Sequence, residues 1–74
     1  MNEEETFAIR LQRIREKRRI SRRVASELCG LEPGAFRRYE RSEREPTART
    51  LAAIADEFGV SMDWLWGREK KLKL

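Results

Sequence analysis

The chain of 74 residues carries 17 lysines and arginines against 13 aspartates and glutamates, a net charge of +4, and has one cysteine and no histidine. That length makes one small domain near the lower end of what folds without staples; lone Cys29 excludes an internal disulfide scaffold, and the common zinc sites lack ligands. No apolar run approaches the roughly 20 residues that cross a bilayer, and the acidic start Met1-Asn2-Glu3-Glu4-Glu5 is unlike a signal or transit peptide, so a cytoplasmic protein with no membrane partner and no cofactor is expected.

Five helical segments fit the periodicity and no strand does, so the expected fold class is all-α. Thr6 caps a first helix from Phe7 to Arg18, with Phe7, Leu11 and Ile14 on one face and Arg10, Arg13 and Lys17 pointing the other way. Ile20 closes the hinge and Ser21 caps the second helix, whose Val24, Ala25, Leu28 and Cys29 make one apolar face. Gly30 stops that helix and Leu31 plugs the turn. Pro33 fits the first turn of a third helix, read as running to Glu40 with Phe36 and Tyr39 inward. Helix, glycine turn and helix is the layout of a helix-turn-helix, whose second helix enters the major groove of DNA.

Arg41 to Pro46 reads as a polar loop. Thr47 caps a fourth helix to Phe58 that buries Leu51, Ile54, Ala55 and Phe58. Gly59 ends it, Val60 plugs the turn, and Ser61 caps a last helix through Trp66, closed by Gly67. The organisation is an acidic extension over 1–5, a helix-turn-helix domain over 6–67 and a basic tail over 68–74. One core follows, made of Phe7, Leu11, Ile14, Ile20, Val24, Leu28, Leu31, Phe36, Tyr39, Leu51, Ile54, Phe58, Val60 and Leu65.

The charge is unevenly spread. Residues 7–23 hold eight basic residues against Glu16 alone, and the tail from Arg68 to Leu74 holds four against Glu69. Clustered basic charge on a small domain suits a polyanion; as an isolated fact it equally describes a solvated helix face.

The order of features resembles the Cro- and phage-repressor-type helix-turn-helix regulators, also called the xenobiotic-response-element family, over Leu11 to Gly67. The markers are Ile20-Ser21, Gly30-Leu31, Tyr39-Glu40-Arg41, Pro46-Thr47, Phe58-Gly59-Val60-Ser61 and Asp63-Trp64-Leu65. The resemblance implies a compact five-helix, lambda-repressor-like DNA-binding domain and a transcription regulator, a repressor of phage, prophage or antitoxin type. It puts Arg22, where the family usually carries glutamine, against phosphate, a task an arginine fork performs with full charge. The family's frequent base readers fall on Pro33 and Gly34, which have no side-chain donor or acceptor, so base reading passes to Arg38 first and Arg37 second. An arginine bidentate to guanine is the commonest specific contact. Arg41, Arg44 and Arg23 are the further phosphate candidates, and Glu40 is expected to pair with Arg15 of the first helix.

Family members usually dimerise on palindromic sites, and Trp64, Trp66 and Leu72 offer a surface for a homodimer. The blank positions at Pro33 and Gly34 favour an alternative: a protein-interaction module on the same fold with an unused recognition helix. Catalysis is not expected, because there is no histidine, Cys29 sits on an apolar helix face and the carboxylates scatter over exposed faces. No small-molecule substrate is implied.

Overall fold

A computed structural model describes residues 5–67 of the chain. It contains α1 (Phe7–Lys17), α2 (Arg22–Leu28), α3 (Ala35–Glu40), α4 (Ala48–Phe58) and α5 (Met62–Trp66), with no strand among the described residues. No described helix is long and apolar enough to cross a membrane.

Four helices start in the same way. Each is preceded by an extended Ser or Thr whose hydroxyl accepts a free N–H of the first turn: Thr6 from Ile9, Ser21 from Val24, Thr47 from Thr50 and Ser61 from Trp64. Each such cap stabilises its helix by about 1 kcal/mol. Helix α3 breaks the pattern. It begins at Ala35, two residues later than the sequence suggests, because Glu32 to Ala35 form a reverse turn closed by a 3.0 Å bond from the Ala35 N–H to the Glu32 carbonyl. Pro33 occupies the second position of that turn, where its fixed φ fits, and Gly34 the third, at φ −91° and ψ 4°.

Gly34 has no side chain to cap α3. The task falls to Ser26 of α2. Its hydroxyl accepts the Phe36 N–H at 2.9 Å and donates to the Arg22 carbonyl at 2.8 Å, and the residue is fully buried. A capping bond made across the turn ties the two helices of the motif to each other.

The core gathers Phe7, Leu11 and Ile14 of α1, Ala25 of α2, Ala35, Phe36 and Tyr39 of α3, Ile54 and Ala55 of α4, and Leu65 of α5. Ile20, Cys29, Leu31, Leu51, Phe58, Val60, Trp64 and Trp66 pack around it. Two expected members lie outside. Val24 and Leu28 are 41% and 49% exposed, and the inward line of α2 is instead Ala25, Ser26 and Cys29. In a two-turn helix the i, i+4 rows through 24/28 and 25/29 are adjacent, so periodicity alone chooses poorly between them. The small Ala25 and Ser26 let α3 approach closely, and the larger residues are left outside.

Arg10 is a second departure. It was expected to point outward, yet it is only 5% exposed. Position 10 borders the Phe7–Leu11–Ile14 stripe, so the stem lies along apolar surface while the head finds carbonyls. Its Nε donates to the Glu5 carbonyl at 3.2 Å and its Nη1 to the Trp64 carbonyl at 3.0 Å, with the guanidinium 5.0 Å from the Trp64 ring. Glu5 is itself buried and its carboxylate pairs with Arg13. The chain ends of the domain thus meet: a Cβ on Gly67 would stand 3.2 Å from the Glu5 carbonyl.

Candidate nucleic-acid interface

The helix-turn-helix is built by two local devices. At the end of α2, Gly30 takes φ +76°, the Gly30 N–H bonds to the Glu27 carbonyl at 3.0 Å and the Leu31 N–H to the Ser26 carbonyl at 2.9 Å. This is a Schellman ending, with glycine at the left-handed position and an apolar residue just after it. The second device is the Ser26 cap described above. Together they fix the angle at which α3 leaves the turn.

Glu40, at the end of α3, gathers three helices. Its carboxylate is 3% exposed and accepts from Arg15 of α1 through Nε at 2.7 Å and Nη2 at 3.2 Å, and from Arg22 of α2 through Nε at 3.0 Å. Arg15 also donates Nη1 to the Ile20 carbonyl at 2.9 Å, which secures the α1–α2 hinge. Arg22 therefore occupies the start of α2 in an aligned position, half in solvent. It borders a concavity of about 500 Å³ lined also by Ser21, Arg23, Pro33, Gly34 and Arg37. Four arginines, Arg15, Arg22, Arg23 and Arg37, border this hollow.

The remaining arginines of the motif are exposed, and most face a carboxylate. Arg38 on α3 donates Nη1 to Glu32 at 2.8 Å, and Arg44 in the following loop stands 3.7 Å from the same carboxylate. Arg41 lies 3.0 Å from Glu43, and Arg23 lies 3.2 Å from Glu27 one turn along α2. Exposed pairs of this kind contribute about 0–1 kcal/mol and exchange readily for another anion. The surface therefore holds its cations at low energetic cost to their release. The structure brings Arg22, Arg23 and Arg37 to the concavity, and Arg38 and Arg44 to Glu32; Arg41 pairs within its own loop.

Trp64 and Trp66 sit elsewhere, on α5. Trp64 lies beneath Arg10, and the Trp66 ring is 5.5 Å from that of Phe7, which in turn meets Tyr39 edge-on at 5.8 Å. Both tryptophans spend much of their surface inside the domain. Leu72 and the basic tail lie outside the described residues. Two residues of the motif had no assigned role in the sequence, Ser26 and Glu32. A polar residue inside an apolar helix row was the available sign for Ser26. Glu32, in the turn between Leu31 and Pro33 and five residues from the nearest arginine, gives none.

Cys29 is half-buried at the end of α2. Burial first, and Glu57 second, push its thiol up to about 11, against a smaller lowering by Arg18. A thiol held protonated is a poor nucleophile.

A helix-turn-helix family model matches residues 11–65, and the chain belongs to that family. The chain is 36% identical over 62 residues to the HTH-type transcriptional regulator AnsR of Bacillus subtilis (strain 168); the match covers 84% of this chain and 53% of that protein. The chain thus spans about half the length of this curated relative. Among solved structures it is similar to the P22 c2 repressor in complex with a synthetic operator, with a TM-score of 0.80, 26% identity and coverage of 86% of this chain and 97% of that one. It is also similar to the DNA-binding domain of the P22 c2 repressor in solution, with a TM-score of 0.76, 29% identity and coverage of 88% and 84%.

Proposed function

We propose that the protein is a sequence-specific double-stranded-DNA-binding transcription regulator that reads the major groove with α3. The observation that carries this is the concentration of Arg22, Arg23, Arg37, Arg38, Arg41 and Arg44 on the helix-turn-helix and the loop after it, all with exposed guanidinium groups. The P22 c2 repressor, of similar fold, is recorded with an operator, and AnsR is a transcriptional regulator. By the same likeness we read the protein as a cytoplasmic repressor of phage, prophage or antitoxin type that binds as a homodimer. Catalysis and small-molecule turnover form no part of this reading.

Roles divide by position. Arg38 and Arg37 point from α3 and carry base reading; Arg22, Arg23, Arg41 and Arg44 flank them and take phosphates. Phosphate contacts position a protein on the duplex and base contacts specify the sequence. Each neutralised phosphate releases counterions and adds about −0.9 to the slope of log affinity on log salt, so four contacts give roughly −3 to −4. Fluorescence anisotropy on a duplex enriched from a random pool, titrated between low and moderate salt, tests this. A flat salt dependence contradicts it. Failure to enrich any duplex supports instead the protein-interaction module that Pro33 and Gly34 favour.

A further inference from the structure

We propose that Glu32 determines specificity at this interface: its carboxylate and the Arg38 guanidinium form one reading unit for a guanine and for a cytosine of the adjacent base pair. In this unit Arg38 donates to guanine O6 and N7, and Glu32 accepts from the cytosine N4 amine. The proposal rests on the DNA-reading function above and adds a residue and a base preference to it.

Four observations lead there. Pro33 and Gly34 carry no hydrogen-bonding side chain, so Glu32 is the nearest polar side chain on the N-terminal side of α3. Its backbone is fixed, because its carbonyl accepts the Ala35 N–H that closes the turn into the helix. Its carboxylate lies 2.8 Å from Arg38 and is about half exposed, as is Arg38, so both heads are available to a groove while still touching each other. The same carboxylate stands 3.7 Å from Arg44, so it is placed among the cations of the surface and not away from them.

The chemistry of the groove gives that placement a direction. A carboxylate accepts and never donates, and it is repelled by phosphates on every sequence. Guanine O6 and N7 and thymine O4 are acceptors too, and would face it unfavourably; adenine N6 donates but stands beside the N7 acceptor, whereas cytosine N4 is a donor with no acceptor beside it on its own base, the usual partner of Glu or Asp in the major groove. Glu32 thus weakens binding to duplexes in general and recovers the loss where cytosine is present. Its contact with Arg38 places the two heads side by side before binding, and an exposed pair of this kind exchanges at little cost for the guanine edge.

The experiment selects duplexes from a random pool with the wild-type chain, Glu32→Gln and Arg38→Ala, and then measures each protein on the enriched site and on single-base variants of it. Glu32→Gln keeps size and shape, and an unchanged melting temperature shows that the half-exposed position leaves the fold intact. The expected result is a wild-type site with a cytosine in a base pair adjacent to that of the guanine lost in Arg38→Ala, a position varied independently of that guanine. Discrimination for that cytosine should be about tenfold, should fall below about threefold in Glu32→Gln, and unrelated duplexes should bind the variant more tightly. An unchanged site in Glu32→Gln with uniformly tighter binding makes Glu32 a counter-ion only and overturns the proposal, while leaving DNA reading intact. No enrichment by the wild-type chain overturns both.

Discussion

Replacing Ser26 by alanine removes one oxygen from the centre of the motif and leaves the Phe36 N–H without its partner. That N–H belongs to the first turn of α3, so no intrahelical carbonyl can take it, and the fully buried Ser26 hydroxyl that accepts it at 2.9 Å has no substitute at Gly34. A buried donor left unsatisfied costs about 1–3 kcal/mol. Alanine keeps the Cβ, so little cavity term adds to this, and a loss of about 2 kcal/mol is expected. For a domain this small the urea dependence of unfolding is about 1 kcal/mol per molar, so the midpoint should fall by roughly 2 M with an unchanged slope. The melting temperature should drop by roughly 10 °C. Hydrogen exchange at the Phe36 amide should accelerate more than at Ile54 in α4, since the local cap is lost as well as global stability. A midpoint shift under about 0.5 M with the Phe36 amide still protected refutes the capping role.

Three further outcomes follow from the same geometry. Glu40→Ala strands the nearly buried Arg15 and should cost about 3–5 kcal/mol, whereas Arg15→Met with Glu40→Met should recover most of it; urea titrations that leave Glu40→Ala near wild type contradict the shared carboxylate. Gly67→Ala should destabilise more than Gly30→Ala, since both glycines have positive φ but only the Gly67 Cβ meets an atom, the Glu5 carbonyl at 3.2 Å. Equal melting temperatures refute the close approach. Burial raises the Cys29 thiol to about 11, so the folded state favours the protonated form. Its contribution to stability is complete below the unfolded thiol value and is lost as pH rises through about 11. Cys29→Ala should therefore flatten the alkaline fall in stability, and alkylation of the native thiol at pH 8 should be slow; alkylation as fast as that of the unfolded chain contradicts it.

Most of the architecture was legible because it is written in local chemistry. Four Ser or Thr caps, Gly30 and Gly67 mark helix ends by the backbone bonds they make, and the Phe7–Leu11–Ile14 stripe marks the inner face of α1. What was not legible depends on contacts distant in sequence. Val24 and Leu28 lie outside because α3 needs the small Ala25 and Ser26 beneath it, a choice made by packing between helices. The start of α3 moved from Pro33 to Ala35 because proline suits a turn as well as a first helical turn. Arg19 and Ser42 adopt left-handed backbone at φ +60° and +59° with no glycine to announce it. Arg10 lies beside the core stripe, and only the Glu5 and Trp64 carbonyls explain its burial. In the site, the arginines were visible by position and the Arg15–Glu40 pair through the family resemblance, but the pairing of Arg22 with Glu40, Arg38 with Glu32 and Arg41 with Glu43 appears only in three dimensions.

Reading of base sequence by α3 rests on Arg38. The most direct measurement is the ratio of affinities for the enriched duplex and a scrambled one at fixed salt, for the wild-type chain and for Arg38→Ala. A wild-type ratio of about 10³ or more is expected, with a fall of about tenfold in the variant, confined to one position of the site. A wild-type ratio near one, or a ratio that Arg38→Ala leaves unchanged, contradicts it.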